Sequence, residues 1–171
     1  MTRLKMGTWF VAFLSALFVC AGSACATDIS GTITTTLAVM DNSKLVGDVT
    51  CTVSGAPCLD IAASNVTLDL NGFSITGLGD PQTGCAGGNS PGAEHGIRIL
   101  NQTGVTIRGA GIVQRFRAHG ILISGSTGTQ VTGVTTSTNC EAGILVAGGS
   151  NVLENNISIA NGNVSLPCGG I

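Results

Sequence analysis

Aromatic residues are nearly absent from this chain of 171 residues, which has no Tyr, one Trp and five Phe. Trp9, Phe10, Phe13 and Phe18 fall near the start, so only Phe73 and Phe116 serve the rest. Sugar-binding modules that stack pyranose rings on exposed Trp or Tyr have nothing to stack on here. Charge is also scarce, at 9% of residues, and the basic residues are scattered. That leaves no electrostatic footprint for nucleic acid, and none is expected as a partner. Past the first 19 residues no stretch approaches the roughly 18 apolar residues of a membrane span. No Cys-x-x-Cys pair exists, and neither a metal nor a cofactor is expected.

What the chain does have begins with an export signal. Arg3 and Lys5 precede an uncharged stretch from Met6 to Val19, and Ala24-Cys25-Ala26 offers a small-x-small cleavage pattern. Residues 1–26 therefore read as a signal peptide and the product as secreted, extracellular or periplasmic. A lipoprotein reading around Cys25 is the runner-up, weakened by Gly22 where Leu is usual. Beyond Ala26 five basic residues face nine acidic ones, a net charge of about −4. Five cysteines remain: Cys51, Cys58, Cys85, Cys140 and Cys168. In an oxidising compartment disulfides are the default. Cys51 and Cys58 bracket a Ser54-Gly55-Ala56-Pro57 turn, which suits a local bridge. Cys140 and Cys168 each lie just before a Gly-Ile step, so they are the second expected pair, with Cys85 left over in a loop.

The Gly-Ile step sets the architecture. It occurs at Gly96-Ile97, Gly120-Ile121, Gly143-Ile144 and Gly170-Ile171, at intervals of 24, 23 and 27 residues. A fixed period of this size marks a solenoid whose single turns cannot bury their own apolar faces. Within a repeat, residues alternate with period two. Ile97 and Ile99, Ile121 and Ile123, and Ile144 and Val146 point one way, with Arg98, Leu122 and Leu145 between them pointing the other. A second strand starts at Val66, Val105, Val131 and Val152. A third holds Phe73 with Ile75, then Ile112, Val134, and Ile157 with Ile159.

Three short strands per turn of about 23 residues predict an all-β, right-handed parallel β-helix of four to five coils over 61–171. An α-helical repeat is excluded by the period of two, and a leucine-rich repeat lacks its Leu and Asn spacing. Residues 27–60 read as an irregular lead-in capping the first coil's strand edges. The chain stops at a further Gly-Ile step with no matching cap, so the helix reads as C-terminally incomplete. Stacking predicts neighbours: Asn65 and Asn151 at one corner, bonded to their copies in adjoining coils, and Asp69 with Arg108 as an outer-face ion pair. Leu122 and Leu145 form an outer apolar stripe, expected to lie under the insertion between Leu78 and His95.

The run from Asn65 to Gly77, NVTLDLNGFSITG, followed by Gly-Ile coils, resembles the secreted bacterial right-handed β-helix proteins. Their repeats also occur in pectate lyases, polygalacturonases and alginate epimerases. The resemblance spans roughly Leu59 to Ile171 and implies an outer-wall groove for an extended acidic polysaccharide, worked by a lyase, hydrolase or epimerase. Two further readings come with it: a non-catalytic surface or adhesion solenoid, and a periplasmic accessory protein for a metal site.

The best stack of polar residues precedes the Gly-Ile steps. His95 and His119 lie one residue before a Gly, Glu94 and Glu141 two before, and Arg117 three before. Two imidazoles one coil apart, with carboxylates and a guanidinium adjacent, are the candidate acid/base pair and anion clamp. The bland alternative is a set of polar turn residues, with His capping strands. The enzyme relatives' motifs are missing. There is no Asp-Asp, Ala118-His119-Gly120 stands where polygalacturonases show Gly-His-Gly, and Asp80-Pro81 is followed by Gln82-Thr83 where epimerases show His-Glu.

Overall fold

A computed structural model describes residues 26–82, 84–85 and 93–162. The proposed signal peptide up to Cys25, and Cys168 with the last Gly-Ile step, lie outside them. The described residues form fifteen short strands and no α-helix. Five strands build one parallel sheet: β2 (Leu37–Val39), β4 (Leu59–Ile61), β7 (Ile97–Leu100), β10 (Ile121–Ser124) and β13 (Ile144–Ala147), adjacent in that order.

The second sheet has two arms joined by the nine-residue β3 (Ser43–Cys51), which also pairs with β1 (Thr27–Ile33). One arm runs through β5 (Thr67–Asp69), β8 (Thr106–Arg108), β11 (Gln130–Thr132) and β14 (Val152–Glu154). The other runs through β6 (Ser74–Thr76), β9 (Ile112–Gln114), β12 (Thr135–Ser137) and β15 (Ile157–Ile159). Every pairing is parallel, and from β4 onward each turn of chain gives one strand to the first sheet and two to the second. This is a parallel all-β, solenoid-like fold.

The expected column is present. Leu37, Leu59, Ile97, Ile121 and Ile144 follow one another in register across the first sheet. The interior members Leu59, Ile97 and Ile121 are fully buried. Each such side chain contributes about 1.5–3 kcal/mol by leaving water. The glycine of the step follows from packing. A Cβ at Gly96 would sit 2.5 Å from a methyl of Val113 and 2.6 Å from the carbonyl oxygen of Gly120. One at Gly120 would sit 2.7 Å from the carbonyl oxygen of Gly143. The backbone enters each of these strands pressed on the coil beside it, and no side chain fits.

Several expectations are corrected. Residues 27–60 are not irregular: β1 to β4 continue both sheets, and β2 supplies a rung below β4. The second strands are offset in the later coils, by two residues at Val131 and by one at Val152. Val131 pairs with Ile107 and Leu153, not with Val105, because Leu68, Ile107, Val131 and Leu153 fill one interior column. Asn65 and Asn151 consequently occupy different corner positions and do not bond to each other.

Asn151 instead accepts the Thr129 N–H (3.0 Å) and donates to the Ser126 carbonyl (3.1 Å), both in the preceding coil. Asn139, Asn156 and Asn161 clamp the coil before them in the same way. In the third strands Val113, rather than Ile112, is buried, and Ile157 and Ile159 face outward.

Cys51 and Cys58 are bridged as expected, with Cα atoms 6.0 Å apart. Cys140 is bridged to Cys85, with Cα atoms 5.6 Å apart, and not to Cys168. The insertion after β6 runs along the corner past Arg115 and Phe116, so Cys85 reaches the corner after β12. Gly79 donates its N–H to the Arg115 carbonyl (2.5 Å) on the way. Phe116 is buried beneath this path. Leu122 and Leu145 do pair in register, but the described part of the loop packs at the Phe116 corner and Leu145 stays exposed.

Candidate functional site

The turns entering β7, β10 and β13 stack, and they bring all five sequence-predicted residues together. Glu94 and His95 enter β7, Arg117 and His119 enter β10, and Glu141 enters β13. Glu94 is 4% exposed. One carboxylate oxygen pairs with Arg117 Nη1 at 2.7 Å. The other accepts the Gly55 N–H at 2.8 Å and the Ser54 hydroxyl at 3.2 Å, in the turn closed by the Cys51–Cys58 bridge. Its oxygens are thereby shared between two other segments of chain, the Ser54-Gly55 turn and the one that carries Arg117. Among the described residues the buried Arg117 Nε has no partner.

The imidazoles of His95 and His119 are stacked, with centroids 5.3 Å apart and planes within 5°. His95 Nδ1 accepts the His119 backbone N–H (3.4 Å), and His119 Nδ1 accepts the Ala142 N–H (3.1 Å). Each ring therefore caps the backbone of the coil that follows. His119 Nε2 lies 3.0 Å from Glu141 Oε2. A ring that accepts at Nδ1 carries its proton on Nε2, which is the neutral tautomer. Burial pushes His95 down to about 4, and the positive charges available to His119 and Arg98 add to this. His119 is also lowered by burial, with the Glu141 carboxylate working the other way. At neutral pH both rings are uncharged.

Arg98 and Asp60 were not singled out in the sequence. Arg98 forms a fork on Asp60, at 2.9 Å from Nε and 2.7 Å from Nη2. The contact raises the Arg98 pKa, chiefly through the hydrogen bond. The signal was available: Leu59-Asp60-Ile61 copies Ile97-Arg98-Ile99, but its coil has no Gly-Ile step. The Asp69–Arg108 pair expected from stacking is present at 2.9 Å.

A concavity of about 270 Å³ opens where the insertion overhangs the corner after the third strands. It is lined by Asp80, Pro81 and Gln82 of the loop and by Arg115, Thr138 and Ala160 of three successive coils. Those three corner residues share left-handed backbone, with φ of 60°, 49° and 54°. Arg115 Nε donates to the Gly79 carbonyl (3.3 Å), and its Nη2 lies 3.9 Å from Asp80 Oδ2. Sequence reasoning missed this cleft because it depends on the path of an insertion without periodicity.

Among the described residues no group of three or more His, Cys, Asp or Glu side chains is placed to hold a metal ion. No described helix is long and apolar enough to cross a membrane. No protein-family model, curated protein or solved structure matches the chain.

Proposed function

We propose that this chain is an exported right-handed parallel β-helix that binds polysaccharide on its outer wall without cleaving it. The observation that carries this is how far the five candidate residues are committed to one another and to backbone. Glu94 is held by Arg117, Ser54 and Gly55, and both imidazoles spend Nδ1 on backbone N–H groups. A general acid or base needs a pKa near the working pH and reach to substrate. His95 has neither, being 6% exposed with a pKa near 4. The polysaccharide part rests on the resemblance over Leu59 to Ile171, and the two disulfides fit an oxidising compartment.

An acidic chain is the less favoured ligand. Lys44, Arg98, Arg108, Arg115 and Arg117 each face a carboxylate within 4 Å, so the wall has no surplus of cations. The test is a polysaccharide panel scored for binding and for cleavage products, with wild type and His119→Gln. Binding without cleavage in both is expected. Cleavage by the wild type that is absent in a folded His119→Gln would overturn the reading.

A non-catalytic adhesion solenoid is the second reading, favoured by one observation. Four outer positions of the last described coil are apolar: Leu145, Val152, Ile157 and Ile159 are all exposed. Partner capture that survives His119→Gln, fails in Leu145→Ser, and is not competed by any glycan would favour it over polysaccharide binding.

A further inference from the structure

We propose that the cleft between the inserted loop and the corner column seats one sugar ring of a neutral glycan. This rests on the polysaccharide reading and assigns it a place away from the five residues before the Gly-Ile steps, whose polar atoms are largely committed to one another and to backbone. Volume sets the size of the occupant. Sites for drug-sized ligands run about 300 to 1,000 Å³, so 270 Å³ holds a single ring.

The lining sets its chemistry. The Arg115 guanidinium and Gln82 amide donate, the Asp80 carboxylate accepts, and the Thr138 hydroxyl does both. The Pro81 ring and Ala160 methyl give apolar surface between them. Donors and acceptors around a small apolar floor match a pyranose, which presents C–H faces and a rim of hydroxyls. With neither Tyr nor Trp described in the chain, the proline ring takes the place of the usual aromatic platform. Arg115 and Asp80 are opposite charges on the same cleft, so it carries no net attraction for a uronate, and Asp80 opposes one directly.

The cleft is also preformed, which lowers the ordering cost of binding. The loop is fixed at one end by the Gly79–Arg115 backbone bond and at the other by the Cys85–Cys140 bridge. Close approach keeps it down: a Cβ at Gly77 would sit 2.7 Å from the Phe116 ring, and one at Gly79 2.6 Å from the Phe116 backbone. The opposite side is a β-solenoid corner with adjacent coils in register.

The experiment uses the full chain and calorimetric titration with xylo-, cello-, manno- and β-1,3-gluco-oligosaccharides, alongside galacturonate and alginate oligosaccharides. Arg115→Ala should weaken binding of the preferred neutral oligosaccharide at least tenfold. Ala160→Trp, which fills the cleft from an exposed position, should abolish it. Urea midpoints of both variants should stay near wild type, and Thr138→Ala should weaken binding severalfold. If the neutral oligosaccharide binds both main variants as it binds wild type, the cleft assignment is overturned while the polysaccharide reading stands. If only the uronates bind, the neutral class is overturned. If no member of either set binds, the polysaccharide reading and this inference fall together.

Discussion

The His95 and His119 rings lie face to face, 5.3 Å apart, and each receives a backbone N–H of the following coil on its Nδ1. Protonation at that nitrogen turns an acceptor into a donor aimed at another donor. The stack therefore joins coils only while neutral. Glu94, Glu141, Arg117, Arg98 and Asp60 surround it, and Glu141 is the one that favours charging His119.

Stability should fall as pH drops from about 6.5 to 4. The His95 pKa is depressed in the fold, so the unfolded chain binds the proton first and gains on acidification. The contribution is fully present above the ordinary histidine pKa and is lost on the way down to about 4. At about 1.36 kcal/mol per unit, the loss from His95 approaches about 3 kcal/mol. Urea unfolding between pH 7.5 and 4 reads this, and His95→Gln should flatten the slope. A midpoint unchanged over that range would contradict the stack's neutral role.

The buried pair and the exposed pair should differ sharply. Removing one partner of a buried ion pair strands a charge at a cost of about 3–5 kcal/mol, whereas an exposed pair is worth about 0–1 kcal/mol. Arg117 and Glu94 side chains are 16% and 5% exposed, against 60% and 29% for Arg108 and Asp69. Glu94→Ala should cost about 3 kcal/mol, and Asp69→Ala less than about 1. Double-mutant cycles with Arg117→Ala and Arg108→Ala give the coupling in each case.

Glycines should separate into two classes. Gly120→Ala drives a Cβ into the Gly143 carbonyl and the Asn139 amide, each 2.7 Å away, and overpacking of this kind costs about 1–3 kcal/mol. Asn139 also clamps Phe116 and Val113, so the upper end is expected. Gly72→Ala meets nothing within 4 Å and bears only the strain of its φ of 84°, about 1–2 kcal/mol. Thermal midpoints of the two variants check the ranking.

The two disulfides should also rank. In the chain-entropy account, closing 55 residues stabilises by about 4 kcal/mol and closing 7 by about 2. Replacing Cys85 and Cys140 by Ser should lower stability more than replacing Cys51 and Cys58. Non-reducing peptide mapping should recover a Cys85–Cys140 peptide. Finding Cys140 joined to Cys168 would contradict the fold of the insertion.

The Gly-Ile step was legible because a glycine crowded by the next coil must recur wherever coils stack, which puts Ile97, Ile121 and Ile144 in one column. Asp69 and Arg108 followed from counting within two strands of equal spacing. The count failed for Val131 because Val-Thr recurs at both positions of the strand, and only the interior column of Ile107 and Leu153 shows which Val faces in. The first coil was hidden because Leu37 and Leu59 lack a preceding glycine. The sites before the Gly-Ile steps were legible in the sequence, while their partners were not, since the hydrogen bonds from the Ser54-Gly55 turn come from 39 and 40 residues away. Cys85 could not be paired because an insertion's path has no period.

The imidazoles themselves give the most direct measurement. Long-range nitrogen–proton NMR of His95 and His119 reports which ring nitrogen carries the proton, and at what pH a second proton arrives. If the rings stitch coil to coil, both carry the proton on Nε2 at pH 7, and His95 stays neutral until close to pH 4. A proton on Nδ1 in either ring, or a His95 titration near 6.5, would contradict the account.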